Sequence, residues 1–229
     1  MDHIMLKASV ISIFVFMLVV GAAASAQQPS PTPAVKKEPV KANARPEVKP
    51  APGEPFDTAD AAKMARQCVT LETEAGTIIA EMFPESAPES VRNFLNLTAT
   101  GLFDNTTFSR VVPGFVIQGG NLYTGDKWNA VTAARSRRTV PDEPNKILHE
   151  RGILSMARSD EPNSATTNFF ILVAAAAYLD GKFAAFGRVT KGMEVVDVIN
   201  KAEVTDEKPE KPVRIKKASV AACGNASSQ

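Results

Sequence analysis

The stretch Phe108–Asn121 reads FSRVVPGFVIQGGN. Valine, isoleucine and phenylalanine at this density form buried or half-buried strands. Pro113-Gly114 in the middle is a tight-turn signal, so the stretch is a pair of strands folded back on each other. Gly119-Gly120 punctuates its end. Arg110 is the odd residue. A guanidinium is not neutralised cheaply, so beside apolar surface it needs a partner or a substrate.

Working outward, short strands recur. Val69–Thr73 and Thr77–Phe83 pair across Glu74-Ala75-Gly76, a hairpin pattern with glycine at the turn. Pro88 opens a helix that runs to about Thr100, with Val91, Phe94, Leu95 and Thr98 on one face, and Gly101 ends it. Strands follow at Thr107–Val112, Phe115–Gly119, Gly152–Ala157, Asn168–Val173 and Ala184–Val189. A second amphipathic helix carries Val195, Val196 and Ile199, and Val213–Ala221 is a last strand. The segment Tyr123–His149 has little periodicity and reads as loop. About eight short strands and two helices without βαβ alternation predict an all-β barrel or sandwich, and pattern alone does not choose between them.

Two further stretches carry chemistry. Met156–Ile171 reads MARSDEPNSATTNFFI, and Leu179–Val189 reads LDGKFAAFGRV. With Phe108–Asn121 they resemble, in order and at close to the right spacing, the active-site segments of the cyclophilins, a family of peptidyl-prolyl cis-trans isomerases. The resemblance covers roughly Cys68 to Val220 and suggests an exported bacterial type. It implies a closed eight-stranded antiparallel barrel capped by a helix at each end, with the site on the outer face because the interior is packed core.

The implied reaction is rotation about an X-Pro amide. Partial double-bond character sets its barrier at ~18–20 kcal/mol. No bond breaks, so neither a nucleophile, a proton shuttle nor a cofactor is implied. Such a site must favour the twisted amide over the planar one. An apolar pocket strips water from the amide, and a fixed donor meets the lone pair released on twisting. By match to the family motifs Arg110 is the donor. Phe115, Phe170 and Leu179 form floor and walls, with Val116 and Phe183 at the sides and Tyr178 beside them. Gln118 and Asn168 offer hydrogen bonds to the substrate backbone. Ala157 and Arg158 line the groove for the preceding residues. Phe108, Phe169 and Phe186 read as core; Phe169 and Phe170 must split, since successive strand residues face opposite sides.

The chain departs from the common family pattern at several of these places. Ser109 stands where histidine is common, Val116 where methionine is, Asn168 where glutamine is, Tyr178 where tryptophan is, and Phe183 where histidine is. These changes bear on the residue preferred before proline and on cyclosporin binding. They leave open a second function, a proline-peptide-binding or chaperone module of the same fold with little turnover. An unrelated ligand-binding barrel is the third reading, and the three ordered motifs speak against it.

The ends of the chain are of a different character. Lys7, the apolar run Ala8–Val20 and Ala24-Ser25-Ala26 read as a secretory signal, residues 1–26, cleaved after Ala26. The alternative is an uncleaved membrane anchor, but the run falls short of the ~20 residues a bilayer needs. Residues 27–67 are rich in proline, lysine and alanine at first, with prolines at 29, 31, 33, 39, 46, 50, 52 and 55. This arm reads as a disordered linker, either a spacer or a polyproline ligand, with a short helix within Phe56–Gln67 capped by Asp57 or Thr58. The folded domain is expected at 68–223 and a disordered tail at 224–229. Export implies a periplasmic or extracellular location, with proline-containing and unfolded exported polypeptides as partners and no stable membrane insertion once the signal is cleaved.

The chain has 26 basic and 25 acidic residues, a net charge of +1, which gives no reason to expect a nucleic-acid partner. Arg135, Arg137 and Arg138 read as a solvated loop rather than a phosphate site. His3 lies in the signal and His149 stands alone in a loop, so a Ser-His-Asp triad or histidine metal site lacks members. Asp142-Glu143 has no metal spacing, and no metal site is read. No oligomerisation signature is present, which leaves a monomer as the default. Cys68 and Cys223 bracket the domain. Oxidising surroundings favour pairing; two free thiols are the alternative, and the family's adjacent first and last strands imply that the two ends meet.

Overall fold

The computed structural model describes residues 53–224. The expected signal, the arm as far as residue 52 and the tail from residue 225 lie outside the described residues. In chain order the elements are α1 (Ala61–Ala65), β1 (Gln67–Thr73), β2 (Gly76–Met82), α2 (Pro88–Ala99), β3 (Arg110–Val112), β4 (Val116–Gly119), α3 (Ala130–Arg135), β5 (Ile153–Met156), β6 (Phe169–Leu172), β7 (Ala185–Lys191), α4 (Met193–Asn200), β8 (Val204–Thr205), β9 (Lys208–Pro209) and β10 (Ile215–Ala222). Single 3-10 turns lie at Leu122–Thr124 and Ala177–Leu179.

Eight strands form one antiparallel sheet in the order β10-β1-β2-β7-β5-β6-β4-β3. The sheet curls until its edges approach. Thr107, ahead of β3, bridges Arg214, ahead of β10. The Phe108 N–H donates to the Val213 carbonyl at 3.0 Å, and the Ile215 N–H to the Thr106 carbonyl at 2.8 Å. Closure is therefore made by a few flanking bonds rather than a full ladder, because β3 is only three residues long. Beyond those bonds the β8–β9 hairpin covers the β3 edge, with the Val111 N–H donating to the Glu207 carbonyl at 2.8 Å.

The interior is filled by aromatic rings. Phe94 of α2 meets Phe169 and Phe186 at 5.0 Å each and Phe103 at 5.4 Å between centroids, the contact with Phe169 being edge-to-face. All four are buried. Pro88 starts α2, but Ala87 supplies no side-chain cap. Glu143, far along the chain, does so instead. Its carboxylate accepts from the backbone N–H of Glu89 (2.9 Å) and Ser90 (2.8 Å) and from the Ser90 hydroxyl (2.7 Å), at the positive end of the helix dipole.

Four expectations need correction. Residues 53–67 are not all linker. Phe56 and Met64 are buried, the Phe56 N–H donates to Asn96 Oδ1 at 2.7 Å, and Arg92 donates to the carbonyls of Phe56 and Ala59. Asp60 caps α1, accepting from the Lys63 N–H at 2.6 Å. Asp57 is occupied by Glu54 and Asn96. The segment Tyr123–His149 is not wholly loop, since Asn129 and Thr132 form a capping box that opens α3. Arg135 is not a solvated cation. It pairs with Glu54 at 2.6 Å with a side chain only 10% exposed and donates to Asn93 Oδ1 at 2.9 Å.

Cys68 and Cys223 are joined by a disulfide with Cα atoms 4.9 Å apart, across 155 residues of sequence. The register that pairs Cys68 with Ala221 brings the two together. A bond closing so long a loop restricts the unfolded chain strongly. Cys68→Ser is expected to cost about 2–5 kcal/mol, read as a drop in the urea midpoint that adding reductant does not enlarge. An unchanged midpoint would contradict this.

Candidate active site

The site grows from one row of residues across the sheet. Arg110 on β3 sits opposite Gln118 on β4, Gln118 opposite Phe170 on β6, and Phe170 opposite Ser155 on β5. The pleat sends this row to the outer face, while neighbouring Phe169 points inward to Phe94, Phe103 and Phe108. Outside the barrel a second apolar cluster forms from Val116, Ile153, Phe170, Leu172, Ala176, Leu179 and Ala185, with Phe115, Ala157 and Phe183 packed against it.

The hairpin that carries Arg110 and Val116 is fixed locally and from afar. The Phe115 N–H donates to the Val112 carbonyl at 2.9 Å, and Gly114 has φ +75°. Pro at the second position and glycine at the third define a type II turn. Asn200 at the end of α4 clamps it. Its Oδ1 accepts from the Gly114 N–H at 2.8 Å, and its Nδ2 donates to the carbonyls of Val112 and Val116. Gly120 is required at the other end. It has φ +88°, and a side chain there would run into the Thr167 carbonyl at 2.2 Å.

Above this frame lies a pocket of about 200 Å³ lined by Arg110, Phe115, Val116, Gln118, Ala157, Arg158, Phe170, Tyr178, Leu179 and Phe183. Val116, Phe170 and Leu179 are its buried members. The largely exposed Tyr178 ring leans on Phe115, with centroids 5.9 Å apart. Phe183 meets Phe170 edge-on at 6.2 Å and carries the Arg158 guanidinium 4.8 Å above its ring. Of the residues singled out from sequence, Asn168 is the one outside the lining. Its backbone carbonyl accepts from the Ala157 N–H at 3.0 Å, so it braces the wall. The Arg110 guanidinium is held at two points. Nη1 donates to Gln118 Oε1 at 3.2 Å, and Nε to Glu207 Oε2 at 2.6 Å.

His149 is not alone. Its Nδ1 lies 3.1 Å from Asp180 Oδ1, and its Nε2 lies 3.1 Å from Ser155 Oγ. A carboxylate only accepts, so Nδ1 carries a proton; the Ser155 hydroxyl has one hydrogen and two acceptors in reach, the Ala184 carbonyl at 2.9 Å and Nε2. The chain resembles a hydrolytic triad, but His149 and Ser155 are buried. No substrate reaches the serine, and the three act as a polar tie. They join the turn that carries Leu179 to β5 beneath the pocket. Sequence reasoning missed Asp180, Ser155 and Glu207. Thr205-Asp206-Glu207-Lys208 between two short strands is a hairpin signal, but nothing in it points to an arginine 97 residues away.

Fold and pocket together define a class: an eight-stranded antiparallel barrel with an arginine beside an apolar pocket on its outer face. A sequence model of the cyclophilin type peptidyl-prolyl cis-trans isomerase/CLD family matches residues 68–220, and the chain belongs to that family. It is 38% identical over 162 residues to peptidyl-prolyl cis-trans isomerase A of Dickeya dadantii, covering 66% of this chain and 83% of that one. It is 39% identical over 158 residues to isomerase cypE of Dictyostelium discoideum, covering 68% and 98%. A crystal structure of a Cryptosporidium parvum cyclophilin, determined in the presence of the dipeptide Ala-Pro, superposes with a TM-score of 0.59. That match has 28% identity and covers 68% of this chain and 99% of that one.

Burial pushes the His149 pKa below its ordinary value of 6.5, against the opposing pull of Asp180. The unfolded chain therefore takes up a proton at higher pH than the folded one. Stability from this group is complete above pH ~6.5 and falls as pH drops below it. Urea midpoints for wild type should decline between about pH 7 and 5, and His149→Gln should flatten that slope. Equal slopes would contradict the assignment.

Proposed function

We propose that this chain accelerates cis-trans rotation of X-Pro bonds in exported polypeptides. The observation that carries the reading is Arg110, an always-charged donor at the edge of an apolar pocket whose floor is Val116, Phe170 and Leu179. The planar amide is the more dipolar form. Moving it from water to an apolar pocket disfavours that form, and the twisted amide concentrates a lone pair on nitrogen. Arg110 offers an N–H to that region, fixed by its strand before substrate arrives, so little reorganisation is needed. The pocket takes the proline ring. Gln118 shares its row with Arg110 and is placed to bond the substrate backbone. Arg158 and Ala157 line the approach for the residue before proline. Tyr178 and Phe183 stand at the rim where tryptophan and histidine are usual, and the Phe183 ring supports the Arg158 cation.

Export is supported by the apolar run Ala8–Val20 with its Ala24-Ser25-Ala26 site and by the Cys68–Cys223 disulfide, which suits an oxidising compartment. The proline-rich arm then acts as a spacer, and the clients are unfolded exported chains met by a monomer.

The test is exchange of an Ala-X-Pro-Phe peptide followed by NMR, with wild type and Arg110→Ala side by side. Wild type should accelerate exchange, and the variant should lose about ten-fold or more, at least ~1.4 kcal/mol of transition-state stabilisation. Binding without acceleration in either protein would replace the isomerase with a proline-recognition module. Equal rates would remove Arg110 as donor.

A further inference from the structure

The catalytic donor proposed above is gripped by a residue from a distant element. Arg110 has five N–H donors, of which Nε is taken by Glu207 Oε2 at 2.6 Å and one on Nη1 by Gln118 Oε1 at 3.2 Å. We propose that Glu207 is a positioning residue: its carboxylate fixes the Nε edge of Arg110 and leaves the remaining terminal N–H groups for the substrate. The inference rests on the reading of Arg110 as the donor.

Three observations support it. First, the turn that carries Glu207 places a glutamate where the backbone conformation disfavours a side chain. Asp206 and Glu207 have φ +50° and +63°. A two-residue hairpin with both central residues left-handed favours Asn-Gly, and a glutamate there is uncommon. Second, the turn is anchored to the strand it serves. The Val111 N–H donates to the Glu207 carbonyl at 2.8 Å, so backbone and side chain of one residue grip neighbouring residues of β3. Third, stability does not account for the pair. Arg110 and Glu207 side chains are 39% and 49% exposed, and exposed ion pairs contribute little to folding. What the contact does supply is direction, because an Nε–H bond to a carboxylate fixes the plane of the whole guanidinium.

The test compares the full chain with Glu207→Ala, Glu207→Gln and Arg110→Ala in the same peptide-exchange assay. Glu207 is already a side chain at positive φ, so alanine adds no new backbone strain. Glu207→Ala should lower kcat about ten-fold while KM and the melting temperature stay near wild type. Glu207→Gln keeps an oxygen that accepts the Nε–H and should recover kcat to within about two-fold of wild type. The Arg110 Nε–H resonance should persist in wild type and Glu207→Gln and be lost in Glu207→Ala. If Arg110→Ala is crippled while Glu207→Ala is not, positioning by Glu207 is wrong and the donor stands. Equal losses in Glu207→Ala and Glu207→Gln would also overturn positioning, since charge rather than geometry would then matter. If Arg110→Ala matches wild type, the donor reading itself fails.

Discussion

Successive side chains of a β-strand face opposite sides, and the rest of this molecule depends on how that constraint divides Phe169 from Phe170. Phe169 turns inward and joins Phe94, Phe103 and Phe108 in a closed core. Phe170 turns outward into a separate apolar cluster. A slip of one residue in β6 would turn Phe170 and Leu172 inward and Phe169 and Ile171 outward, breaking the packing of Phe169 against Phe94, Phe103 and Phe108. The register of β6 against β4 and β5 is therefore fixed by core packing, and the outer row of Arg110, Gln118 and Phe170 inherits that accuracy. The barrel interior leaves no room for a substrate, so the pocket belongs to the outer face.

An outer-face pocket has a cost that an interior one does not. Water reaches its rim, and a cation there is free to swing into solvent. The structure restrains it from several directions. Gln118 and Glu207 hold the guanidinium. Asn200 holds the turn between β3 and β4. The Asp180–His149–Ser155 tie holds the turn that carries Leu179. Apart from Gln118, which faces Arg110 across its own hairpin, these restraints come from segments far along the chain, which is how short strands with few ladder bonds carry a rigid site.

That division also explains what was legible in the sequence. The strands, the two long helices and the pocket lining follow from local pattern and from motif match, because each of these residues sits in a short stretch whose spacing reports its face. The residues that escaped notice act across long separations. Glu143 caps α2 from 53 and 54 residues away, and Glu54 partners Arg135 from 81. A carboxylate in a polar loop looks the same whether it meets water or a helix terminus. Order in residues 53–67 was hidden for a related reason. The proline-rich stretch before them sets the composition of the window, while Phe56 and Met64, which bury, are only two residues in it.

The pairing of Arg110 with Glu207 carries a physical trade. A carboxylate against a guanidinium weakens the positive field the pocket feels, and in a reaction that developed a full negative charge this would be a poor arrangement. Amide rotation develops no such charge. The change at the prolyl nitrogen is a lone pair regaining its density, a redistribution of fractional charge over about one bond length. Its stabilisation depends less on net potential than on whether an N–H points along the emerging lone pair, since hydrogen-bond strength falls steeply with misalignment. A chemistry that requires direction more than charge tolerates a neutralising partner and gains from the orientation it imposes. On the proposed reading the shorter Asn168 and the aromatic Phe183 leave the donor in place, because neither alters the direction from Arg110 to the pocket, whereas a residue that released the Nε edge would.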